Sequence, residues 1–187
     1  MNIFLTAPLR GKSKYGEYYK KIYSILNAEG YKVEADHILD HDVHTVHAWD
    51  PEYRFDYYLS VIEKIKLCDV FIAELSISTI NVVYEICIAL ELKKNTIVLY
   101  IGDQEPKFID EIDLGLTEER FQVIQYNSSN LKKRLNSAIN YAKKSINQRF
   151  TLLLPTGILN YLEKVSKSQS IPRAVYIRQL IEKEMRK

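Results

Sequence analysis

The run from Val70 to Leu75 is apolar, β-branched and unbroken. A polar turn, Ser76 to Asn81, follows it, and then a helical pattern that continues to Lys94. A strand with no polar face must be covered on both sides, and its handover to a helix makes it a unit of a helix-covered parallel sheet. In such an open α/β sheet, ligands bind in the crevice beyond the carboxyl ends of the strands. Ser76, Ser78, Thr79, Asn81 and Glu85 fall in that crevice. Spacing alone also allows Glu85 to be a solvated glutamate favoured by the helix dipole, and Tyr84 beside it to be core packing.

The rest of the chain repeats the alternation. Asn2 to Ala7 reads as a buried strand, followed by a turn, Pro8-Leu9-Arg10-Gly11-Lys12, with two cations and a glycine. Such a loop suits a phosphate: Gly11 allows close backbone approach and Arg10 offers a planar fork of donors. A solvated turn is the alternative. A helix is expected from about Tyr15 to Ala28, stopped by Gly30, then a strand from Tyr31 to Ile38. A helix from about Pro51 to Leu67 leads to the central strand. Thr96 to Ile101 and Phe121 to Tyr126 read as the fourth and fifth strands, joined by an acidic linker with a short helix. Ser128 or Ser129 is expected to cap a last helix running to about Ile146. Strands alternating with helices imply a doubly wound, five-stranded parallel sheet of flavodoxin-like type.

All four histidines, His37, His41, His44 and His47, lie within 14 residues together with Asp40, Asp42 and Asp50. Imidazoles at this spacing suit a transition metal if the segment is helical. The Asp-His-Asp sequences before Trp49-Asp50-Pro51 read more as an irregular lid, and no metal site is assigned. Cys68 and Cys87 read as reduced core residues.

At 187 residues and 47% hydrophobic, the chain suits one medium domain with a small appendage. No apolar run approaches the length of a membrane span, and the first residues lack the basic leader of a secretory signal, so a cytoplasmic protein is expected. Charge is divided unevenly. Residues 148–187 hold eight Lys or Arg against three acids, +5, while the first 147 hold 18 against 21, −3. This split marks residues 148–187 as a module with its own partner.

That module reads as a short strand, RFTLLLP, and two amphipathic helices, the second opening on Pro172. It resembles the ribbon-helix-helix DNA-binding fold through Leu154-Pro155, Leu159, Leu162 and the Ile171 to Arg178 stretch. The resemblance implies a homodimer with paired ribbons. Arg149, Thr151 and Leu153 would face the DNA major groove, and the helix start at Arg173 would hold a backbone phosphate. Leu153 departs from the pattern, because an apolar side chain cannot hydrogen-bond a base edge. A dimerisation clamp without DNA is the alternative.

Residues 1–146 resemble the nucleoside 2-deoxyribosyltransferase superfamily, most of all its 2'-deoxynucleoside 5'-phosphate N-hydrolases. The carrying motifs are TAPLRG at Thr6 to Gly11, EADHIL at Glu34 to Leu39, and CDVFIAEL followed by VYEICIAL. The resemblance implies a nucleoside or nucleotide as the small-molecule partner, no cofactor, and Glu85 as the nucleophile at the anomeric carbon. It places Glu74, Thr6, Ser78, Thr79 and Asn81 around the substrate, with Arg10, Gly11 and Lys12 at the 5'-phosphate. Two positions depart. The family's first-strand tyrosine falls on Phe4, and its helix aspartate on Val61 or Ser60, leaving Asp56, one turn earlier, as the nearest carboxylate. Two readings follow: an N-glycosidic-bond hydrolase or transferase, or a weakened, nucleotide-sensing DNA-binding regulator. A metal-binding α/β protein is the third.

Overall fold

The first strand, β1 (Asn2–Thr6), lies inside a five-stranded sheet of order β2-β1-β3-β4-β5, whose other strands are β2 (Lys32–Glu34), β3 (Val70–Glu74), β4 (Asn95–Tyr100) and β5 (Phe121–Gln125). Every pairing is parallel. Ile3 and Phe4 are matched with Val70 and Phe71 on one side, and with Val33 and Glu34 on the other. The computed structural model describes residues 1–103, 105–106, 120–145, 154–169 and 173–185. The expected short helix in the acidic linker falls largely on residues 107–119, outside these.

Among the described residues, six helices surround the sheet: α1 (Lys12–Ala28), α2 (Asp36–Leu39), α3 (Val43–Ala48), α4 (Pro51–Leu67), α5 (Ile80–Glu91) and α6 (Leu131–Ser145). Side chains alternate across a strand, and this divides the core in two. Ile3, Leu5, Val70, Ile72, Ile97 and Leu99 pack with α1 and α6, while Phe4, Phe71, Ala73 and Val98 pack with α4 and α5. The doubly wound architecture expected from the alternation is therefore observed.

Five local expectations are corrected. β2 is three residues long, not eight, because the chain turns at Ala35 into α2 and buries His37 and Ile38. The histidine-rich segment is not irregular: it contains α2 and α3, the latter capped by Asp42, whose Oδ1 accepts the Thr45 amide at 2.8 Å. Helix α1 starts at Lys12, directly after a 3-10 turn over Leu9–Gly11. Asn127 replaces the expected serine cap of α6. Its Oδ1 accepts the amides of Ser129 and Asn130, each at 3.0 Å, and its carbonyl accepts the Leu131 amide. Of the two cysteines, Cys68 is buried but Cys87 is exposed on α5.

Contacts divide the chain into Met1–Asn147 and Gln148–Lys187. In the second unit, α7 (Thr156–Gln169) and α8 (Arg173–Met185) pack together, with the Tyr161 and Tyr176 hydroxyls 3.2 Å apart. Leu162 is buried, whereas Ile158, Leu159, Leu180, Ile181 and Met185 are exposed. Arg149, Thr151 and Leu153 lie outside the described residues, and Arg173 is exposed at the start of α8. Among the described residues no helix is long and apolar enough to cross a membrane.

Candidate active site

Helix α5 begins at the carboxyl edge of the sheet, where Thr79 stands in extended geometry at its N-cap with no side-chain capping bond. Its buried stripe is Val82, Glu85, Ile86 and Ala89, so a carboxylate occupies a position that spacing reserves for an apolar residue. Glu85 is 6% exposed and is not the solvated glutamate that spacing alone allowed. Its Oε2 has no hydrogen-bond partner among the described residues. Burial pushes its pKa up to about 7, and a side-chain hydrogen bond from Thr6 pulls the other way. Thr6 is itself fully buried on β1, on the face that also carries Phe4. The carboxyl thus sits in a low-dielectric niche, poised between its two protonation states near neutral pH.

Helix α4 supplies the opposite wall. Tyr57, Val61 and Ile65 recur at four-residue spacing, which turns Tyr57 inward above two buried residues. Burial is the main cause that raises the pKa of Tyr57, with the charges of Asp36 and Glu85 adding to it. Tyr58 is pushed up to about 12, by burial first, then by Glu85 and Tyr84. Tyr58 stacks on Tyr84 with ring centroids 6.3 Å apart, and Tyr84 is 55% exposed. Sequence reasoning gave Tyr57 and Tyr58 no role. The signal was available in the spacing from Tyr57 to Val61 and Ile65.

Asp56, five residues before Val61, is off this stripe and exposed. Val61 is buried, and Ser60 is exposed and donates to the Tyr57 carbonyl at 2.6 Å. Phe4 is fully buried and stacks flat on His37, with centroids 4.7 Å apart and planes 9° apart, and on Phe71 behind it. Both ring nitrogens of His37 are buried without a partner among the described residues, and burial is the first cause lowering its pKa to about 3. His41 sits instead in a cluster with Trp49 and Tyr57, at 5.0 and 5.5 Å. No group of three or more His, Cys, Asp or Glu is arranged to hold a metal among the described residues.

The first loop divides its residues. Arg10 is exposed. Lys12 turns away and donates to the carbonyls of Leu39 and His41 at 2.7 and 2.6 Å, tying the histidine-rich segment to the start of α1. Gly11 is packed so tightly that a Cβ would stand 2.5 Å from the Tyr19 hydroxyl. Ser78 and Asn81 are exposed around Thr79, and the first-turn amides of α5 have no partners within the helix.

Glu74 ends β3 on the other face of the sheet, with Val70 and Ile72 rather than with Phe71 and Ala73. It is fully buried. Its Oε1 accepts the Ser76 hydroxyl and, at 2.9 Å, the Tyr126 hydroxyl. Burial pushes its pKa up to about 7 against those two bonds. Sequence and resemblance thus brought two carboxylates to one edge, and the pleat directs them to opposite sides.

The parallel sheet and its strand order define the fold: a flavodoxin-like domain matching that of the nucleoside deoxyribosyltransferases. The chain is 27% identical over 126 residues to a candidate 2'-deoxynucleoside 5'-phosphate N-hydrolase 1 of Thermofilum pendens, covering 67% of this chain and 85% of that protein. Among solved structures it is similar to the CMP N-glycosidase BcmB of Clostridium botulinum, at 19% identity and a TM-score of 0.52, over 75% of this chain and 99% of that one. It is also similar to the 2-deoxyribosyltransferase of Bacillus psychrosaccharolyticus, at 15% identity and a TM-score of 0.54, over 81% and 100%. No family profile matches the chain. Relative and fold neighbours together support likeness to the nucleoside deoxyribosyltransferase and N-hydrolase group.

Proposed function

We propose that residues 1–146 cleave the N-glycosidic bond of a nucleoside or its 5'-monophosphate, with Glu85 as the nucleophile. The observation that carries this is the Glu85 carboxyl: buried in an apolar stripe, one oxygen without a partner, facing Thr6 and sensed by Tyr57 and Tyr58. In its ionised form it attacks the anomeric carbon, the glycosidic bond breaks with its electron pair leaving on the base, and a glycosyl-enzyme ester forms. Water or a second base then resolves the ester. Arg10 and the free amides at Thr79 supply donors for a 5'-phosphate. With Asp56 exposed and Val61 apolar, protonation of the leaving base falls to solvent, a loss that typically costs ~10²- to 10⁴-fold in rate.

One observation favours a second reading. Phe4, where the related enzymes carry a tyrosine, is sealed between His37 and Phe71, which suits a pocket that binds nucleotide and turns it over slowly or not at all. In that reading the basic unit at 148–187, with its exposed apolar residues on two helices, pairs with a second copy and holds DNA, and nucleotide binding tunes the pair.

The deciding experiment is chromatographic. Purified protein and Glu85→Ala are incubated with a panel of nucleosides and 5'-monophosphates. Free base from the first and none from the second is the expected result. Nucleotide that raises thermal stability without base release in either would move the assignment to the sensor.

A further inference from the structure

The structure carries a second buried carboxyl that the proposed chemistry does not use. Glu74 gathers contacts from several strand ends at once. Ser76, in the loop that leads to α5, donates to its Oε1, and the same hydroxyl accepts the Ile101 amide at 2.8 Å, just past the end of β4. Tyr126, just past β5, donates to the same oxygen, and its own amide is held by the Tyr100 carbonyl at 2.9 Å. Tyr19 of α1 lies near enough for the charge of Glu74 to raise its pKa. The Tyr19 hydroxyl donates to the Pro8 carbonyl at 3.3 Å and fills the space above Gly11.

We propose that Glu74 is a positioning residue: through Ser76 it sets the loop that leads into the Glu85 helix, and through Tyr126 and Tyr19 it fixes that loop relative to the first loop. This rests on the glycosidic reading of Glu85. The physical basis is that both hydroxyls donate to one oxygen. A carboxylate accepts such bonds more strongly than a neutral acid does, so ionised Glu74 holds the loop tightest and protonation loosens it. The titratable groups facing it are Tyr19 from α1 and Tyr126 beyond β5, with Tyr15 and Tyr18 behind them. Burial is the first cause that keeps both facing phenols neutral. The Glu74 carboxyl is therefore the one group of this network whose charge changes near neutral pH.

Two variants test this. Glu74→Gln keeps the shape and one acceptor but never ionises. Ser76→Ala, at a half-buried position, cuts the relay without touching the carboxyl. Base release from a nucleoside 5'-monophosphate is measured from pH 5 to 9, together with amide hydrogen exchange. At pH 8 both variants should lose about fivefold or more in kcat with KM changed less than about threefold. The acid limb of the Glu74→Gln profile should fall with one proton where the wild type falls with two. The Ile101 amide should exchange about tenfold faster in both, with β1 amides unchanged. Wild-type kcat and an unaltered acid limb in Glu74→Gln, or unchanged Ile101 exchange, would overturn the proposal. A wild type that releases no base would instead remove the glycosidic reading, and the Ile101 exchange alone would then decide for or against Glu74.

Discussion

The two faces of the sheet each bury a glutamate at the same edge, and each glutamate is pushed up to about 7 by the same cause, burial. Their wiring differs. On the α1 and α6 face, Glu74 is fully enclosed and receives two hydroxyls on one oxygen. On the α4 and α5 face, Glu85 keeps a small exposure and faces the Thr6 hydroxyl; both carboxyls leave Oε2 without a partner among the described residues. A shifted pKa therefore does not by itself separate a carboxyl that organises from one that reacts. The donors committed to each carboxyl and its remaining opening to solvent do differ: two hydroxyls and a closed environment at Glu74, the Thr6 hydroxyl and 6% exposure at Glu85. Unmet hydrogen-bonding capacity in a buried group costs free energy, and both carboxyls bear that cost at Oε2, so it is the residual exposure of Glu85 that supports the proposal of a ligand on that face.

The largest break in this comparison is Glu85→Gln, which should lower base release by ~10³-fold or more, as loss of a nucleophile does, while leaving the chain folded. Circular dichroism alongside the chromatographic assay checks both halves. Next is pH. Each glutamate binds its proton more tightly folded, at about 7, than unfolded, so its stabilising contribution is complete below about 4.5 and is lost as pH rises through 7. Each should contribute roughly 3 kcal/mol to that loss by pH 8. Thermal unfolding should fall from pH 5 to 8 in the wild type and fall less in Glu85→Gln.

His37 sharpens the contrast from the other side. Its folded pKa, about 3, is below its unfolded value. Its contribution is therefore present above pH 6.5 and is lost as pH falls toward 3. His37→Phe should remove roughly 3 kcal/mol of the decline between pH 7 and 4, read by the same melts. The smallest effect expected is from Gly11→Ala. Its new methyl must displace the Tyr19 hydroxyl, at a cost of about 1 to 3 kcal/mol in denaturant unfolding.

The alternation of strand and helix, and the place of Glu85 after β3, could be read directly from residue types. The face on which each strand residue lies could not. The middles of β1 and β3, Ile3 to Leu5 and Val70 to Ala73, are apolar at every position, so no alternation marks a side there, and the parity that separates Glu74 from Phe71 and Ala73 emerges only once helices cover each face. The spacing of Tyr57 to Val61 and Ile65 puts it on the inward stripe of α4, whereas the carboxylate of Asp56 lies one position off that stripe. The turn into α2 was not legible in the sequence. Its four residues, Asp36–Leu39, carry too little periodicity to stand out as a helix. Asn127 is as good a cap as serine, and only the hydrogen bonds tell which residue is used.

The pairing of β1 with β3 also has a consequence in time. Asn2 and Asp69, joined by a backbone-to-carboxylate hydrogen bond of 2.7 Å, are 67 residues apart in the chain. At a synthesis rate of about 5 to 20 residues per second, roughly 3 to 13 seconds separate their appearance on the ribosome. During that interval the apolar segment Ile3 to Leu5 has only the three-residue β2 as a strand partner, and a nascent chain stalled before Val70 would present an unpaired hydrophobic edge to chaperones and to its neighbours.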